Sequence, residues 1–246
     1  MRNLLMSAVI LACSSALAPA VALNDEERQQ IDKQIEDFFM RNPEKLERAL
    51  DNMQFYLAQR AEQQRAQALL ANADKLYRNP SDYSMGPKNA PITIVEFFDY
   101  NCGYCKRSFN PLMQVLDENK DVRIVFKEYP ILGEASYIAA SAALALNDKM
   151  KYLTYHSKLM TSQGRLSQAV VEKTLSDLRL PVKKVQSDAL NEKYVMHLAS
   201  TRQLAEAIGV SGTPAFVING KLFPGALDKT ELAEAIKVAR IDLKTK

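Results

Sequence analysis

Residues 92–105 read ITIVEFFDYNCGYC, a β-branched and aromatic run that leads directly into two cysteines. The run Ile92–Phe98 is short and nearly continuous, which is typical of a strand buried on both faces. A helical apolar pattern follows the cysteines, and a second strand-like run covers residues 122–129. Strand, helix and strand form the parallel unit in which a dithiol at a helix start has a chemical meaning. We therefore predict an α/β protein built around this dithiol.

The N-terminus has the pattern of a secretory signal peptide. A positive Arg2 precedes a short apolar stretch, and residues 20–22, Ala-Val-Ala, form a small-residue cleavage site. We predict that residues 1–22 are removed and that the mature protein is secreted. The alternative is a lipobox around Cys13, in which that cysteine would be acylated.

Charge and cysteine content narrow the classes of function. The chain has 32 Lys and Arg against 29 Asp and Glu, and so small an excess does not indicate a nucleic-acid binder. The mature sequence has no apolar run near ~20 residues, so no membrane span is predicted. Once the leader is removed, Cys102 and Cys105 are the only cysteines, which favours disulfide exchange over a structural staple. His156 and His197 lack the spacing of a Cys2His2 zinc site.

Residues 23–84 predict an N-terminal helical oligomerisation stalk followed by a linker. This stretch is rich in Gln, Glu, Arg and Ala; a short amphipathic helix is predicted first, capped by Asn24 or Asp25, and then a long one from Pro43 to about Arg78. The long helix carries an apolar seam with coiled-coil spacing, formed by Leu46, Leu50, Met53 and Leu57. The alternative is a helical hairpin that folds back on the main domain. A seam this short does not distinguish a dimer from a trimer.

Residues 85–246 are predicted to form the catalytic domain. The middle of this domain, about 134–208, has no strand-like run and predicts four or five inserted helices. The pattern ends with a strand at 215–218, the tight Asn219-Gly220 turn, a short returning strand and a last helix.

Cys102 is the predicted nucleophile because it lies at the start of a helix. Unpaired backbone N–H groups and the helix dipole favour a thiolate at that position. Cys105 can reach back to close a disulfide and release a trapped partner, so it is the predicted resolving thiol. The alternative is a pair of inert buried cysteines. Pro214 follows a tight Ser-Gly-Thr stretch ahead of an apolar strand, which makes it a candidate for a cis peptide bond.

Three motifs together resemble a known family. They are residues 97–105, FFDYNCGYC; residues 209–214, GVSGTP; and residues 223–225, FPG. The combination is similar to the periplasmic thiol-disulfide oxidoreductases of the DsbA superfamily, most of all the suppressor-of-copper-sensitivity C (ScsC) branch, with active-site motifs similar to the DsbC and DsbG isomerases. This resemblance covers about residues 85–246. It implies a thioredoxin fold with an inserted helical domain and a cis bond at Thr213-Pro214 packed against Cys102.

The resemblance also implies roles for individual residues. Gly103 and Tyr104 would tune the redox poise, and this pair together with Thr213 is the DsbC-like choice, unlike the strongly oxidising DsbA pattern. Glu96 matches an acidic residue that many thioredoxin-fold proteins bury beneath the resolving cysteine, where it would accept a proton. An ordinary strand-end carboxylate is the alternative for Glu96.

These features together predict a periplasmic disulfide isomerase or reductase for misoxidised proteins. A membrane thiol reductant of the DsbD or ScsB type would keep the dithiol reduced, and self-association, with a trimer favoured, would join several sites. No cofactor is expected. The alternatives are a dithiol oxidase of the DsbA type and a Cu(I)-binding protein in copper tolerance that uses Cys102 and Cys105 as ligands.

Overall fold

The computed structural model of the protein describes residues 23–245. The predicted signal peptide, residues 1–22, and its Cys13 lie outside the described residues. The chain divides into two compact units, one ending at Ala58 and one beginning at Gln59. Within residues 23–245, no helix is both long enough and apolar enough to cross a membrane.

The N-terminal unit begins with helix α1, Asp25–Arg41. Asn24 caps this helix: its side chain accepts a hydrogen bond from the Glu27 N–H at 2.9 Å, and the Glu27 carboxylate accepts the Asn24 N–H. This reciprocal capping box satisfies two N–H groups that the helix itself leaves unpaired. The predicted short helix and its start are therefore confirmed.

The predicted long helix is interrupted near its end. Helix α2 runs over Pro43–Ala71, and after Asn72 a short helix α3 covers Ala73–Tyr77. The Asn72 side-chain amide donates to the Ala68 carbonyl at 2.9 Å, a local bond that competes with continuation of the helix. Beyond the break, Leu76 is completely buried in the catalytic unit.

The remaining elements all belong to the C-terminal unit. In chain order they are β1 Tyr83–Met85, β2 Ile92–Phe98, α4 Gly103–Glu118, β3 Val122–Glu128, α5 Glu134–Ala145, α6 Lys149–Met160, α7 Gln168–Asp177, α8 Val182–Ala189, α9 Glu192–Ala207, β4 Ala215–Ile218, β5 Lys221–Pro224 and α10 Lys229–Lys244. Helices α5 to α9 are the predicted helical insertion between β3 and β4.

Strand β2 lies at the centre of a sheet with the order β1-β3-β2-β4-β5. It is parallel to β3 and antiparallel to β4, and the edge strands β1 and β5 are antiparallel to their neighbours. The register places Glu96 of β2 beside Phe126 of β3 and Phe216 of β4. This topology confirms the predicted α/β class and the thioredoxin fold with an inserted helical domain.

Side chains of β2 alternate between two hydrophobic cores. Ile92, Ile94 and Phe98 face a core that includes residues of α4, α10 and the helical insertion. Val95 and Phe97 face a second core, which includes residues of α3 and α9. Each of these five side chains is fully buried, a gain of about 1.5–3 kcal/mol apiece. Burial on both faces explains why the strand reads as a continuous apolar run.

The catalytic unit extends further toward the N-terminus than the composition boundary at residues 84 and 85. Leu69 of α2 and Leu76 of α3 are buried in the second core. Strand β1 lies in a segment that the sequence indicated as the end of a linker, and it pairs with β3. Composition did not reveal this because a helix can be polar overall and still bury one apolar stripe.

A buried ion pair ties the segment before β1 to the sheet. Asp82 binds the ammonium group of Lys127 on β3, and both side chains are 1% exposed. The His197 Nε2 atom of α9 lies 3.2 Å from the other Asp82 oxygen. Removing one partner of such a pair leaves a buried charge uncompensated. The segment that precedes β1 is therefore an integral part of the catalytic unit.

Candidate active site

Cys102 lies at the point where the chain leaves β2 and enters α4. It is the N-cap residue of α4, and the backbone N–H of Cys105 donates to its Sγ atom at 3.3 Å. Cys102 is 5% exposed, whereas Cys105 is fully buried, and both are free thiols. The helix-start position therefore agrees with the sequence analysis, and only one of the two sulfurs is accessible to another molecule.

Hydrogen bonds and burial shift the pKa values of the two thiols in opposite directions. The hydrogen bond from the Cys105 thiol is the largest cause that lowers the pKa of Cys102 from 9.0 to about 6. Burial opposes it, and hydrogen bonds from the Thr213 side chain and from backbone N–H groups add to the lowering. Burial raises the pKa of Cys105 far above its ordinary value, with further contributions from the hydrogen bond to Cys102 and the charge of Glu96. At neutral pH the thiolate, which is the nucleophilic form, is therefore carried by Cys102.

The loop 209–214 brings the second sequence motif to the thiols. The Thr213-Pro214 peptide bond is cis. In its protonated form, the Cys102 thiol donates to the Thr213 carbonyl at 3.3 Å, although the two residues are 111 positions apart. The loop and residues of β5 line a cavity of about 180 Å³. Backbone groups of the loop thus lie next to the nucleophile, as the resemblance implied.

Glu96 is fully buried on β2 and interacts electrostatically with both thiols. Neither of its carboxylate oxygens has a hydrogen-bond partner within the described part of the chain. Burial, and then the charge of Cys102, raises the pKa of Glu96 from 4.5 to about 8. A strand-end carboxylate at the surface would keep its ordinary pKa, so Glu96 does not fit that alternative. A buried acid that titrates near neutral pH is suited to accept or release a proton.

Glu96→Gln is expected to stabilise the reduced protein by ~3 kcal/mol at about pH 7. The unfolded chain releases the Glu96 proton above about pH 4.5, whereas the folded protein keeps it until about pH 8. The contribution of Glu96 to stability therefore falls as the pH rises through this window. Cys102, whose pKa is lowered from 9.0 to about 6 by folding, contributes the opposite slope from about pH 6 to 9. Urea unfolding of the wild-type protein and of Glu96→Gln across the window gives the slope due to Glu96 as the difference between the two. Glu234→Gln, at an exposed carboxylate paired with Lys237, is the matched control, and identical slopes in all three proteins would contradict the assignment.

Gly103 and Tyr104 form the start of α4 between the two cysteines. A Cβ atom at Gly103 would meet nothing within 4 Å, so packing does not require glycine there. Tyr104 is 60% exposed, and the guanidinium of Arg107 lies over its ring at 4.0 Å from the centroid. The roles of both residues in redox tuning stay predictions.

Asp99 is a site residue that the sequence analysis missed. Its buried carboxylate accepts the backbone N–H groups of Asn101 at 2.7 Å and of Ile131 and Leu132 at 2.9 Å each. These bonds hold the loop before Cys102 against the segment that follows β3. No local pattern marks Asp99 for this role, because two of its three donors lie more than thirty positions away.

A second buried cluster joins the active-site loop to α6. Tyr100 and Tyr152 both donate to Glu128 Oε1, at 2.9 and 2.8 Å, and the Tyr100 hydroxyl lies 3.2 Å from His156 Nδ1. Burial raises the pKa of Glu128 well above its ordinary value and lowers that of His156 to about 3. In the sequence, this histidine is a candidate only as a zinc ligand. The fold instead places it, uncharged at neutral pH, among aromatic rings.

The predicted oligomerisation residues belong to the N-terminal unit and not to the dithiol site. The seam residues Leu46, Leu50, Met53 and Leu57 are between 42% and 54% exposed in the single chain.

Within the described residues, no group of three or more His, Cys, Asp or Glu side chains is placed to hold a metal ion.

A family model described as Thioredoxin matches residues 78–238. The chain belongs to the thioredoxin family. The thioredoxin match includes both active-site motifs and the whole helical insertion.

Solved structures of thioredoxin-like proteins are similar over most of the chain. A thioredoxin-like oxidoreductase from Silicibacter pomeroyi DSS-3 is 36% identical with a TM-score of 0.66, and the match covers 68% of this chain and 96% of that protein. ScsC from Proteus mirabilis, crystallised in a transitional conformation, is 31% identical with a TM-score of 0.65, and the match covers 89% of this chain and 97% of that protein. These matches confirm the resemblance to the ScsC branch.

Curated relatives of this thioredoxin-family chain include much longer proteins. A Na(+)/H(+) antiporter, NhaA 1 from Salinispora arenicola, is 28% identical over 160 residues, which are 64% of this chain and 24% of the antiporter. The chain thus spans about a quarter of the length of this relative, and the similarity concerns that part alone.

Proposed function

We propose that this protein is a periplasmic thiol-disulfide interchange protein that acts as a disulfide isomerase or reductase. The observation that carries the proposal is the asymmetry of the dithiol. Cys102 has a pKa of about 6 and is 5% exposed, while Cys105 is fully buried and keeps its proton. An accessible thiolate paired with a protonated, internal thiol is what an attacking and a resolving cysteine require.

The reaction begins when the Cys102 thiolate attacks one sulfur of a client disulfide. A Cys102–client disulfide forms and the other client sulfur leaves as a thiolate. In isomerisation, a client thiolate, either the one just released or one formed by its exchange with a second client disulfide, attacks the client sulfur of the mixed disulfide. A new client disulfide forms and Cys102 leaves as a thiolate, with no net oxidation. In reduction, Cys105 loses its proton and attacks Cys102. The client leaves with two thiols, and the Cys102–Cys105 disulfide must accept two electrons from a membrane thiol reductant of the DsbD or ScsB type.

Glu96 supports the second route because it is the buried group able to take the Cys105 proton. It is charge-coupled to Cys105, and its pKa of about 8 in the reduced protein includes a contribution from the charge of Cys102. The mixed disulfide removes that charge, so the pKa of Glu96 falls and the carboxylate form that can accept a proton becomes favoured. Proton acceptance at this position would convert the unreactive Cys105 thiol into a thiolate at the moment when the mixed disulfide forms. Glu96 is thus proposed as the proton acceptor of the resolving step.

Self-association through the apolar seam of α2 supports isomerisation over simple oxidation. The four seam side chains are half-exposed in the single chain, which costs free energy in water unless another chain covers them. We propose that two or more chains, with three favoured, join their catalytic units through this seam. Several linked sites hold a misoxidised client at a high effective concentration while its disulfides rearrange.

One observation bears on the oxidase alternative. A low pKa of the attacking thiol stabilises the reduced dithiol and makes its disulfide a better oxidant. The value of about 6 for Cys102 falls between ~7 for thioredoxin and ~3.5 for DsbA. This intermediate value is compatible with either direction of exchange. Copper binding is supported only by the two thiols.

A scrambled substrate with non-native disulfides separates these functions. The reduced protein in catalytic amounts is expected to restore substrate activity, and Cys102→Ser should restore none, because shuffling needs the accessible thiolate. Rapid oxidation of a reduced substrate by the disulfide form, without shuffling of the scrambled one, would instead establish the oxidase alternative.

A further inference from the structure

Hydrogen bonds gather four chain segments around the nucleophile. They are 99–107, 131–134, 162–166 and 209–214. Three of their side chains are cationic: Lys106, Arg107 and Arg165, which we name the cationic rim. The acids in the same segments are Asp99, which is buried, and Glu134, which is exposed. The surroundings of Cys102 are therefore positive although the chain as a whole is close to neutral, with a net charge of +3.

Two of the rim side chains are held in place by their neighbours. The Lys106 ammonium donates to the Ser162 carbonyl at 3.2 Å and to the Ser162 hydroxyl at 3.1 Å. The Arg107 guanidinium stacks over the exposed ring of Tyr104, 4.0 Å from its centroid. A stacked guanidinium keeps its N–H edge free for a carboxylate.

Arg165 is exposed on a segment that is anchored on both sides. Before it, the Gly164 carbonyl accepts the Lys106 ammonium at 3.5 Å. After it, the Leu166 N–H donates to the Asn101 side chain at 3.1 Å. Because Asn101 precedes Cys102 directly, this anchoring places a second arginine at the edge of the same site.

The rim does not account for the acidity of Cys102. Its pKa is lowered by hydrogen bonds with Cys105, Thr213 and backbone N–H groups, and no cation is among the causes. Arg107 and Arg165 are exposed, so their charges are available to another molecule that approaches the thiolate.

We propose that the cationic rim selects client cysteines that have a carboxylate within two residues. The inference rests on the proposed exchange function and names its substrate class. Arg107 lies five residues beyond Cys102, or about 7.5 Å along the axis of α4. Two residues of an extended client span about 7 Å, so a carboxylate at that distance from the reacting client sulfur reaches the arginine.

Three peptide disulfides test the rim. Each peptide has one cysteine bonded to neutral 2-thiopyridine and is flanked on both sides by Glu, Gln or Lys. The Cys102 thiolate attacks the peptide sulfur, forms a mixed disulfide and releases pyridine-2-thione; Cys105 then attacks Cys102 and releases the peptide thiol. Stopped-flow absorbance of the released thione measures the second-order rate constant.

The Glu peptide is expected to react ~10-fold faster than the Lys peptide at about 0.01 M salt, because the charges attract over a long screening length. The ratio should fall below ~2 at about 1 M salt. In the double variant Arg107→Gln with Arg165→Gln, most of the rate difference between the Glu and Lys peptides at low salt should disappear.

Lys221→Gln with Lys244→Gln is the matched control, since it removes the same charge at other exposed positions. This control should keep the wild-type ratio. Equal rates for the three peptides in the wild-type protein, or a ratio that both double variants reduce alike, would overturn the rim proposal. If no peptide reacts, the proposed exchange function is wrong. That result is distinct from equal rates, which would refute only the rim proposal.

Discussion

Iodoacetamide is expected to alkylate Cys102 of the reduced protein at least ~500-fold faster than Cys105 at about pH 6. At that pH about half of Cys102 is thiolate, since its pKa is about 6. The pKa of Cys105 is raised above 9.0, so less than ~0.1% of it is thiolate. Burial of Cys105 slows its labelling further. Mass spectrometry of the labelled protein as a function of pH gives both rates.

Two variants identify the cause of the low Cys102 pKa. Cys105→Ala removes the largest contribution, the hydrogen bond to the Cys102 sulfur, so the midpoint of Cys102 labelling should move to higher pH. Cys105→Ser keeps a hydroxyl donor and should move it less. Equal labelling of both cysteines in the wild-type protein, or a Cys102 midpoint near 9, would show that the attacking and resolving roles are wrongly assigned.

Removal of residues 23–58 is expected to produce a monomer that keeps the fast labelling of Cys102 but loses disulfide shuffling. The deletion takes away the N-terminal unit and leaves the catalytic unit from Gln59 intact. A longer deletion, to Pro80, would also remove Leu69 and Leu76 from the second core. It would unfold the active site, so a loss of shuffling would no longer report on the seam alone. Without the seam, a client that dissociates from one site no longer meets a second one at millimolar effective concentration.

Point variants test the seam without shortening the chain. Leu50→Glu with Met53→Glu places charges in the seam and should abolish association, because like charges in a coiled-coil core are desolvated and repel. Asn52→Glu with Gln59→Glu adds the same charge at exposed positions of α2 outside the seam and should leave the assembly unchanged. Light scattering gives the mass, and the scrambled substrate gives the shuffling rate. A monomeric wild-type protein, or a monomeric variant that shuffles at the full rate, would refute the proposal that association through the seam supports isomerisation.

Local patterns in the chain identified most of the catalytic framework. The apolar run of β2, the cysteine pair at the start of α4 and the Asn219-Gly220 turn each depend on residues a few positions apart, and each is present in the fold. Strand β1 was not found because three residues in a polar stretch form a strand only when β3 offers them an edge. The break at Asn72 was missed for a related reason, since burial of Leu76 depends on a distant partner surface.

What the sequence determined by itself is the identity of the dithiol, its place before a helix and the order of the surrounding elements, because strand alternation and helix capping are encoded by near neighbours. Only the tertiary structure placed Thr213 at 3.3 Å from the Cys102 sulfur and left Glu96 buried without a hydrogen-bond partner among the described residues. It also gathered the cationic rim from two separate segments. These features depend on contacts between residues far apart in sequence and on the removal of water from buried side chains. No pattern of neighbouring residues therefore predicts them.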